Sequence, residues 1–156
     1  VSQAWEGGIK NALFNRWGAT QSNYVLRAGE GFFLKGPATA TEDIDVTITG
    51  EVPPDGWMAR AIPGSGNLGT IGNPYPVDFK FGESTLALNA SGNSWVYFWN
   101  PVSQAWEGGI KNALFNRWGS VQSNYVVQAG EGFFMKEAQA VNVWTNVRPY
   151  TWPKDD

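Results

Sequence analysis

The chain has 156 residues, which is enough for one domain with its own hydrophobic core. It contains no Cys and no His, so disulfides, thiolate metal sites and every site that needs an imidazole are excluded. The net charge is −3 without a Lys or Arg cluster, and the apolar runs are far shorter than the roughly 20 residues of a membrane-spanning helix, so we expect no binding to nucleic acid and no membrane insertion.

Short strands separated by Gly, Pro and Asn dominate the predicted secondary structure. In the order of the chain, strand patterns lie at residues 24–26, 31–35, 45–49, 57–62, 67–71, 84–88, 94–99, 125–127, 132–136 and 141–147. The first two of these strands are predicted to pair around a turn at residues 28–30, and the strands at 125–127 and 132–136 repeat that pair. Helical periodicity is weak, with one short helical turn expected at residues 8–14 and again at 109–115. The predicted fold class is therefore all-β, in a β-sandwich or barrel-like arrangement.

An internal repeat determines the predicted domain organisation. Residues 1–35 recur at 102–136, and the two copies differ at five positions, which are Ala19/Ser120, Thr20/Val121, Leu26/Val127, Arg27/Gln128 and Leu34/Met135. The second copy follows a long segment, residues 46–101, for which the first copy has no counterpart. We therefore predict a partial repeat at residues 1–45 and a complete β module with a C-terminal strand at 46–156. A half-module of this size is too small to hold a core unaided, so its open edge is expected to find a partner strand.

Three segments of the complete module form a recognisable series. They lie at residues 67–76 (NLGTIGNPYP), 95–100 (WVYFWN) and 129–136 (AGEGFFMK). The series resembles the tandem β modules of large secreted and cell-surface bacterial proteins, in which NLIGNPYP-like, YxWN and GEGFFVK-like segments follow one another. The resemblance implies modular β structure at the cell surface, and it implies no catalytic residues.

The overall composition agrees with a location outside the cell. Charged residues make up 16% of the chain, against about 25% in typical soluble domains, whereas aromatic residues make up 15% and include nine Trp. Solubility therefore rests on uncharged polar residues and Gly, which suits an extracellular β module. Because the chain begins at Val1 without an initiator Met, we expect that a leader or a longer precursor has been removed.

Four tryptophans are duplicated by the repeat and are candidates for binding sugar rings by stacking. They are Trp5, Trp17, Trp106 and Trp118. Exposed indoles bind sugars, whereas buried indoles fill a core or an interface. The second interpretation is favoured by residues 95–99, where alternate positions are apolar on both faces of the predicted strand.

Carboxylates are the remaining candidates for general acid–base chemistry, because His and Cys are absent. Two of them, Glu6 and Glu30, have copies in the second repeat, which is typical of scaffold residues rather than of a single active site. We therefore predict that the chain is not an enzyme and binds no cofactor. The residues Glu42, Asp43 and Asp45 are a weak candidate for a Ca²⁺ site, since calcium takes six or more oxygen ligands, and a solvated charged edge is the alternative.

The C-terminal segment suggests how the open edge of the first copy is filled. Residues 141–147 alternate as a strand does, and a PYTWP extension follows. If this tail enters the first copy of the next chain, the contact is head-to-tail and propagates as a fibre. The residues expected at this contact are Val1, Trp5, Val141, Val143, Trp144, Val147, Tyr150 and Trp152. The alternative is that the tail closes its own module and the protein is a monomer.

The predicted function is accordingly that of an extracellular structural protein that assembles with copies of itself. A filament or a surface layer joined by β-strand complementation is the arrangement that we expect. A carbohydrate-binding or adhesion module that uses exposed Trp side chains is the alternative function, with a polysaccharide as the partner.

Overall fold

A computed structural model describes residues 8, 10, 13, 16–36, 56–139 and 142–148. Within these residues the chain forms eight strands, which are β1 (Trp57–Ile62), β2 (Leu68–Gly72), β3 (Phe79–Lys80), β4 (Trp95–Asn100), β5 (Ala105–Ile110), β6 (Val126–Val127), β7 (Gly132–Lys136) and β8 (Asn142–Val147). The helices are α1 (Ala19–Ser22), α2 (Thr85–Asn89) and α3 (Ser120–Asn124), with one 3-10 turn at Phe81–Glu83. None of the helices in the described part is long and apolar enough to cross a membrane. The all-β prediction is confirmed.

The strands form three antiparallel sheets. The largest has the order β2-β7-β4-β5, while β1 pairs with β8 and β3 pairs with β6. The strands at Trp57–Ile62, Leu68–Gly72, Trp95–Asn100 and Asn142–Val147 lie within a residue of the predicted ranges, because their apolar residues are bounded by Gly, Pro or Asn. The predicted strand at 45–49 lies outside the described residues.

The core lies against one face of the four-stranded sheet. Val96 and Phe98 of β4 and Phe133 of β7 are buried on this inner face. The ring of Phe81, from the 3-10 turn, packs edge-on against Phe98 and Trp118 at centroid distances of 5.3 and 5.2 Å. Alternate residues point to the opposite, outer face, so both faces of β4 carry aromatic or aliphatic side chains.

The predicted strand at 84–88 is wrong, because residues 85–89 form α2. The hydroxyl of Ser84 accepts a hydrogen bond from the amide of Ala87 at 3.2 Å, which is the arrangement of an N-cap. Leu86 and Ala87 are consecutive and both buried. Consecutive burial fits one side of a short helix, whereas a half-buried strand would expose one of the two side chains.

The predicted pairing of two strands in each repeat is wrong, although β6 and β7 of the second copy lie within the predicted ranges 125–127 and 132–136. In the second copy, β6 pairs with β3, and β7 pairs with β2 and β4, so the two strands join different sheets. In the first copy, residues 24–26 and 31–35 form no strand, and Glu30 makes one isolated bridge to Ile71. The helical turn expected at 109–115 is instead the end of β5 and a loop closed by a bridge between Asn112 and Arg117. Only residues 8, 10 and 13 of the matching turn at 8–14 are described, and none of the three is helical.

Candidate functional site

The two repeat copies fold in the same way locally. In the first copy, the Glu30 carboxylate accepts hydrogen bonds from the Tyr24 hydroxyl and from the backbone amide of Arg27 at 3.0 Å. In the second copy, the Glu131 carboxylate accepts the same two bonds, from the Tyr125 hydroxyl and from the amide three residues before Glu131, at 2.8 Å. These local bonds need no partner from elsewhere in the chain, so the sequence of each copy is enough to form them.

The turns and helices around these bonds also match. Gly29 and Gly130 have φ angles of 77° and 78°, a left-handed conformation that glycine adopts without steric strain. The helices α1 and α3 occupy corresponding positions, and each begins after a Gly with an extended backbone. The repeat therefore specifies one local structure twice.

The two copies differ in how deeply their matching side chains are buried. Trp118, Val127, Phe133 and Met135 are at most 7% exposed and belong to the core. Their counterparts Trp17, Leu26, Phe32 and Leu34 are 36–48% exposed. The second-copy Lys111 is 1% exposed, whereas the first-copy Lys10 lies at the surface. We call the exposed set of the first copy the acceptor face, and it consists of Lys10, Trp17, Tyr24, Leu26, Phe32 and Leu34.

Residues 79–100 cover the second copy, and we call them the donor segment. The indole Nε1 of Trp118 donates to the carbonyl of Ala87 at 2.9 Å. The ring of Tyr125 stacks on Phe98, with centroids 3.8 Å apart and the planes 8° from parallel. Val127 pairs with Phe79 across the β3–β6 ladder. The donor segment thus provides the core contacts for the residues that the first copy exposes.

Lys111 binds the end of helix α2 within the donor segment. Its Nζ donates to the carbonyls of Ala87, Leu88 and Ala90 at 3.0, 2.9 and 2.7 Å. Burial lowers the pKa of Lys111, and the negative charge of Glu137 opposes that effect. Because all three N–H donors of the ammonium are used, this lysine is a cap for the carbonyls that the helix leaves open.

Glu137 is the second buried charge of this region. Its carboxylate accepts hydrogen bonds from the Ser94 hydroxyl at 2.6 Å and the Ser91 amide at 3.0 Å. Burial alone would raise the pKa of Glu137, but these bonds, with one from Asn142, hold it below the ordinary value. Lys111 and Glu137 are both buried, and protein groups provide the hydrogen bonds that each charge needs.

Among the described residues, backbone contacts attach the first copy to β2 of the complete module. The amide of Gly72 donates to the carbonyl of Gly29 at 3.0 Å, next to the bridge between Glu30 and Ile71. From there Phe33 reaches the outer face of the four-stranded sheet and packs on Phe134 at a centroid distance of 4.9 Å. This attachment leaves the acceptor face exposed.

The tryptophans proposed for sugar stacking do not share one surface. Trp118 is buried in the core, and Trp17 belongs to the acceptor face. Trp106 is half-buried on the outer face, where Phe33 meets it edge-on at 5.3 Å. Trp5 lies outside the described residues. The outer face also carries Trp95, which is 37% exposed.

Three of the residues proposed for contact between chains are described by the structure, and all three lie in strand β8. Strand β8 pairs along its whole length with β1 of the same module, which is the intramolecular alternative. Trp144 is 1% exposed in the core, while Val143 and Val147 are exposed. The remaining residues of that set, which are Val1, Trp5, Val141, Tyr150 and Trp152, lie outside the described residues.

No cluster of three metal-ligating side chains occurs in the described ranges, and the acidic candidates Glu42, Asp43 and Asp45 fall outside them.

An open groove of about 970 Å³ separates the first copy from β1 and is lined by Tyr24, Arg27, Glu30 and Arg60, among others. Its charged groups already interact across it, since Arg60 contributes to lowering the pKa of Glu30.

Comparison with known proteins identifies no relative. No protein family model matches the chain, and no curated protein or solved structure is similar enough to count as a match.

Proposed function

We propose that this chain is an extracellular structural repeat protein that assembles with copies of itself through the acceptor face, as the subunit of a filament or a surface layer does. One observation carries the proposal. The same sequence, with the same local fold, is buried in the second copy and exposed in the first. A surface built as the inner side of a module is suited to association rather than to solvent.

The size of the exposed surface limits how such an assembly forms. Burying a large apolar side chain completely contributes about 1.5–3 kcal/mol. Because Trp17, Leu26, Phe32 and Leu34 are less than half exposed, covering them contributes roughly 1 kcal/mol each. That total is comparable to the lower range of the association cost, about 4–15 kcal/mol. Stable joining therefore also requires backbone pairing, as in β-strand complementation.

The first copy has a position for such a strand. In the second copy, Val126 and Val127 form β6 and pair with Phe79 and Lys80. The corresponding residues of the first copy, Val25 and Leu26, belong to no strand. A strand from a neighbouring chain would complete the first copy at this position. Exchange of β8 between chains is less favoured, because it must first open the six-residue pairing with β1.

Measurement of mass and shape at micromolar concentration tests the proposal. Light scattering and negative-stain microscopy of the unaltered chain should show particles larger than one chain. Leu26→Asp should reduce them to monomers, because a charge on the acceptor face is costly to bury. The matched control is Val25→Asp, since both Val25 and its counterpart Val126 are at least half exposed, and this variant should assemble normally. A compact monomer for the unaltered chain contradicts the proposal.

A carbohydrate-binding or adhesion function is the second candidate, and the outer face of the four-stranded sheet favours it. The rings of Trp95 and Tyr97 stack on each other, with their planes 10° apart and their centroids 5.9 Å apart. Trp99 and Trp106 extend the aromatic surface at 5.3 Å. Binding to an insoluble polysaccharide that is lost in Trp95→Ala, but kept in Leu26→Asp, would support this function over assembly.

A further inference from the structure

A small pocket lies between α3 and the turn that joins β4 to β5. Its apolar wall includes Phe98 of β4, Pro101 of the turn, Val121 of α3 and Tyr125, which follows α3 directly. The rings of Phe98 and Tyr125 stack on each other with centroids 3.8 Å apart. Because Phe98 belongs to the core, this part of the wall is held in place by the packing of the module.

One carboxylate also lines this pocket. Glu107 of β5 lies opposite Phe98 in the β4–β5 pairing, so the two side chains point to the same face of the sheet. Oε1 of Glu107 accepts hydrogen bonds from Asn100 and from Ser103. Within the described residues, Oε2 of Glu107 accepts no hydrogen bond, and no cation pairs with this carboxylate. The pocket therefore offers a negative charge beside an apolar wall.

The electrostatic surroundings of the pocket favour a cation. Burial, followed by the hydrogen bond to Glu131 and the negative charges of Glu131 and Glu107, raises the pKa of Tyr125 well above its ordinary 10.0. The phenol is therefore neutral at physiological pH, whereas the two carboxylates are ionised. An anion in the pocket would be repelled by both of them. Aromatic rings add to the attraction for a cation through their quadrupole.

The volume of the pocket limits which cation fits. The pocket measures about 130 Å³, whereas a water molecule occupies about 30 Å³ and sites for whole ligands measure about 300–1,000 Å³. A group of a few heavy atoms therefore fits, and an oligosaccharide does not. A hydrated metal ion would leave the apolar wall without a matching contact. An ammonium group that carries carbon atoms matches both the carboxylate and the apolar wall.

We propose that this pocket binds an alkylammonium group, which pairs with Glu107 and packs against the aromatic wall. Two sources present this chemistry, and they are the lysine side chain of another polypeptide and a free quaternary amine. The pocket belongs to the complete module and shares no residue with the acceptor face, so the proposal does not depend on self-assembly. Phe98 and Glu107 also lie on the inner face of the sheet, away from the aromatic outer face.

Titration of the whole chain with choline and with N-acetyl-lysine methylamide, followed by ligand-observed NMR, tests the proposal. A Kd of about 1 mM is expected for at least one of these small probes. Binding of choline alone would identify a free amine as the ligand, and binding of the lysine derivative alone would identify a polypeptide side chain. Failure of both probes to bind at about ten times this concentration would overturn the proposal.

A neutral probe separates the effect of charge from that of shape. The alcohol in which a carbon atom replaces the nitrogen of choline has nearly the same shape and no charge. It should bind at least about tenfold more weakly than choline, because it forms neither the ion pair nor the cation–π contact. Equal affinities for the two compounds would show that the pocket selects no cation, and the proposal would be wrong.

Substitution of the carboxylate locates the bound cation. Glu107→Gln removes the charge and keeps the shape of the side chain, so it should weaken probe binding at least about tenfold. Glu83→Gln is the matched control, because Glu83 is an exposed carboxylate that pairs with Lys80 and does not line the pocket. This control should leave the affinity within about twofold.

A second variant closes the pocket without altering its charge. Val121→Phe should fill the space beside α3 and weaken binding at least about tenfold, and the fold should tolerate the change because Val121 is 66% exposed. Val126→Phe is the control, since Val126 is 50% exposed and lies outside the pocket. Far-UV circular dichroism checks that each variant is folded. Unchanged affinity in Glu107→Gln or in Val121→Phe would place the cation elsewhere and overturn the proposal.

Discussion

The two repeat copies differ in what surrounds them, although their local folds agree. Each forms the same Tyr–Glu hydrogen bond, the same left-handed glycine and the same short helix. One copy contributes Trp118, Val127, Phe133 and Met135 to the core, and the other leaves the matching side chains exposed. Hydrogen bonds between near neighbours thus set the local shape, whereas burial depends on residues 79–100. The comparison provides matched pairs of substitutions in one molecule.

The largest difference is expected for the duplicated tryptophans. Trp118→Ala removes a buried ring that packs on Phe81, and it should lower the free energy of unfolding by about 3–5 kcal/mol. Trp17→Ala should lower it by less than about 1 kcal/mol, because no comparable cavity forms. Urea unfolding followed by far-UV circular dichroism measures both. Equal losses would show that the first copy is packed as tightly as the second.

The duplicated lysines should differ next. Lys111→Met leaves three carbonyls at the end of α2 without their donor, which should cost about 3 kcal/mol. Lys10→Met is the control and should change stability by less than about 0.5 kcal/mol, since Lys10 is exposed. The same urea titrations serve here. If Lys10→Met lowers the free energy of unfolding as much as Lys111→Met does, the two lysines have similar surroundings.

Glu137 has Gly36 at the matching position after the first copy, and its effect should depend on pH. Hydrogen bonds hold its pKa below the ordinary 4.5 despite burial, so its stabilisation is present above about pH 4.5 and is lost as the pH falls through the folded-state pKa. Glu137→Gln should cost about 2 kcal/mol at pH 7, and the gap from the unaltered chain should narrow in acid. Unfolding at pH 7 and pH 3 measures this gap, and a gap independent of pH would contradict the assignment.

The smallest effect is expected for the duplicated tyrosines. Burial, followed by the bond to Glu131, raises the pKa of Tyr125 above its ordinary 10.0. Its contribution is therefore complete below about pH 10 and is lost as the pH rises further. Tyr125→Phe should cost about 1 kcal/mol at pH 7 and make stability less sensitive to alkali, whereas Tyr24→Phe should cost less. Thermal unfolding between pH 8 and 11 compares the two variants. Identical curves would mean that packing against Phe98 gives Tyr125 no larger contribution to stability than Tyr24 has.

Several strands were predictable from the sequence because their signals are local. The ranges at 57–62, 68–72 and 95–100 are short segments bounded by turn residues, and the range at 142–147 alternates between polar and apolar residues. Helix α2 was missed, since Thr85–Asn89 is one turn long and its main signal is the Ser84 cap. The pairing of β6 and β7 with different sheets was missed because partner choice depends on contacts that are distant in sequence.

The acceptor face was predictable in part. The lack of a counterpart of residues 46–101 for the first copy predicts an open edge there, and this stays a prediction. The sequence could not show which side chains of the first copy are exposed. Lys111 contacts carbonyls 21–24 positions away, and Ser94 contacts Glu137 across 43 positions. No periodic pattern signals contacts of that range. For the same reason the sequence could not show that Trp118 lies in the core, Trp106 on the outer face of the sheet and Trp17 on the acceptor face.

The short attachment of the first copy has a mechanical consequence. A force that pulls the first copy away from the module meets the Gly72–Gly29 hydrogen bond, the bridge at Ile71 and the ring contacts of Phe33. The β1–β8 pairing extends over six residues and is backed by the buried Trp144. Under load, these contacts of the described residues should part before the β1–β8 pairing does, and their loss would expose the edge of β2.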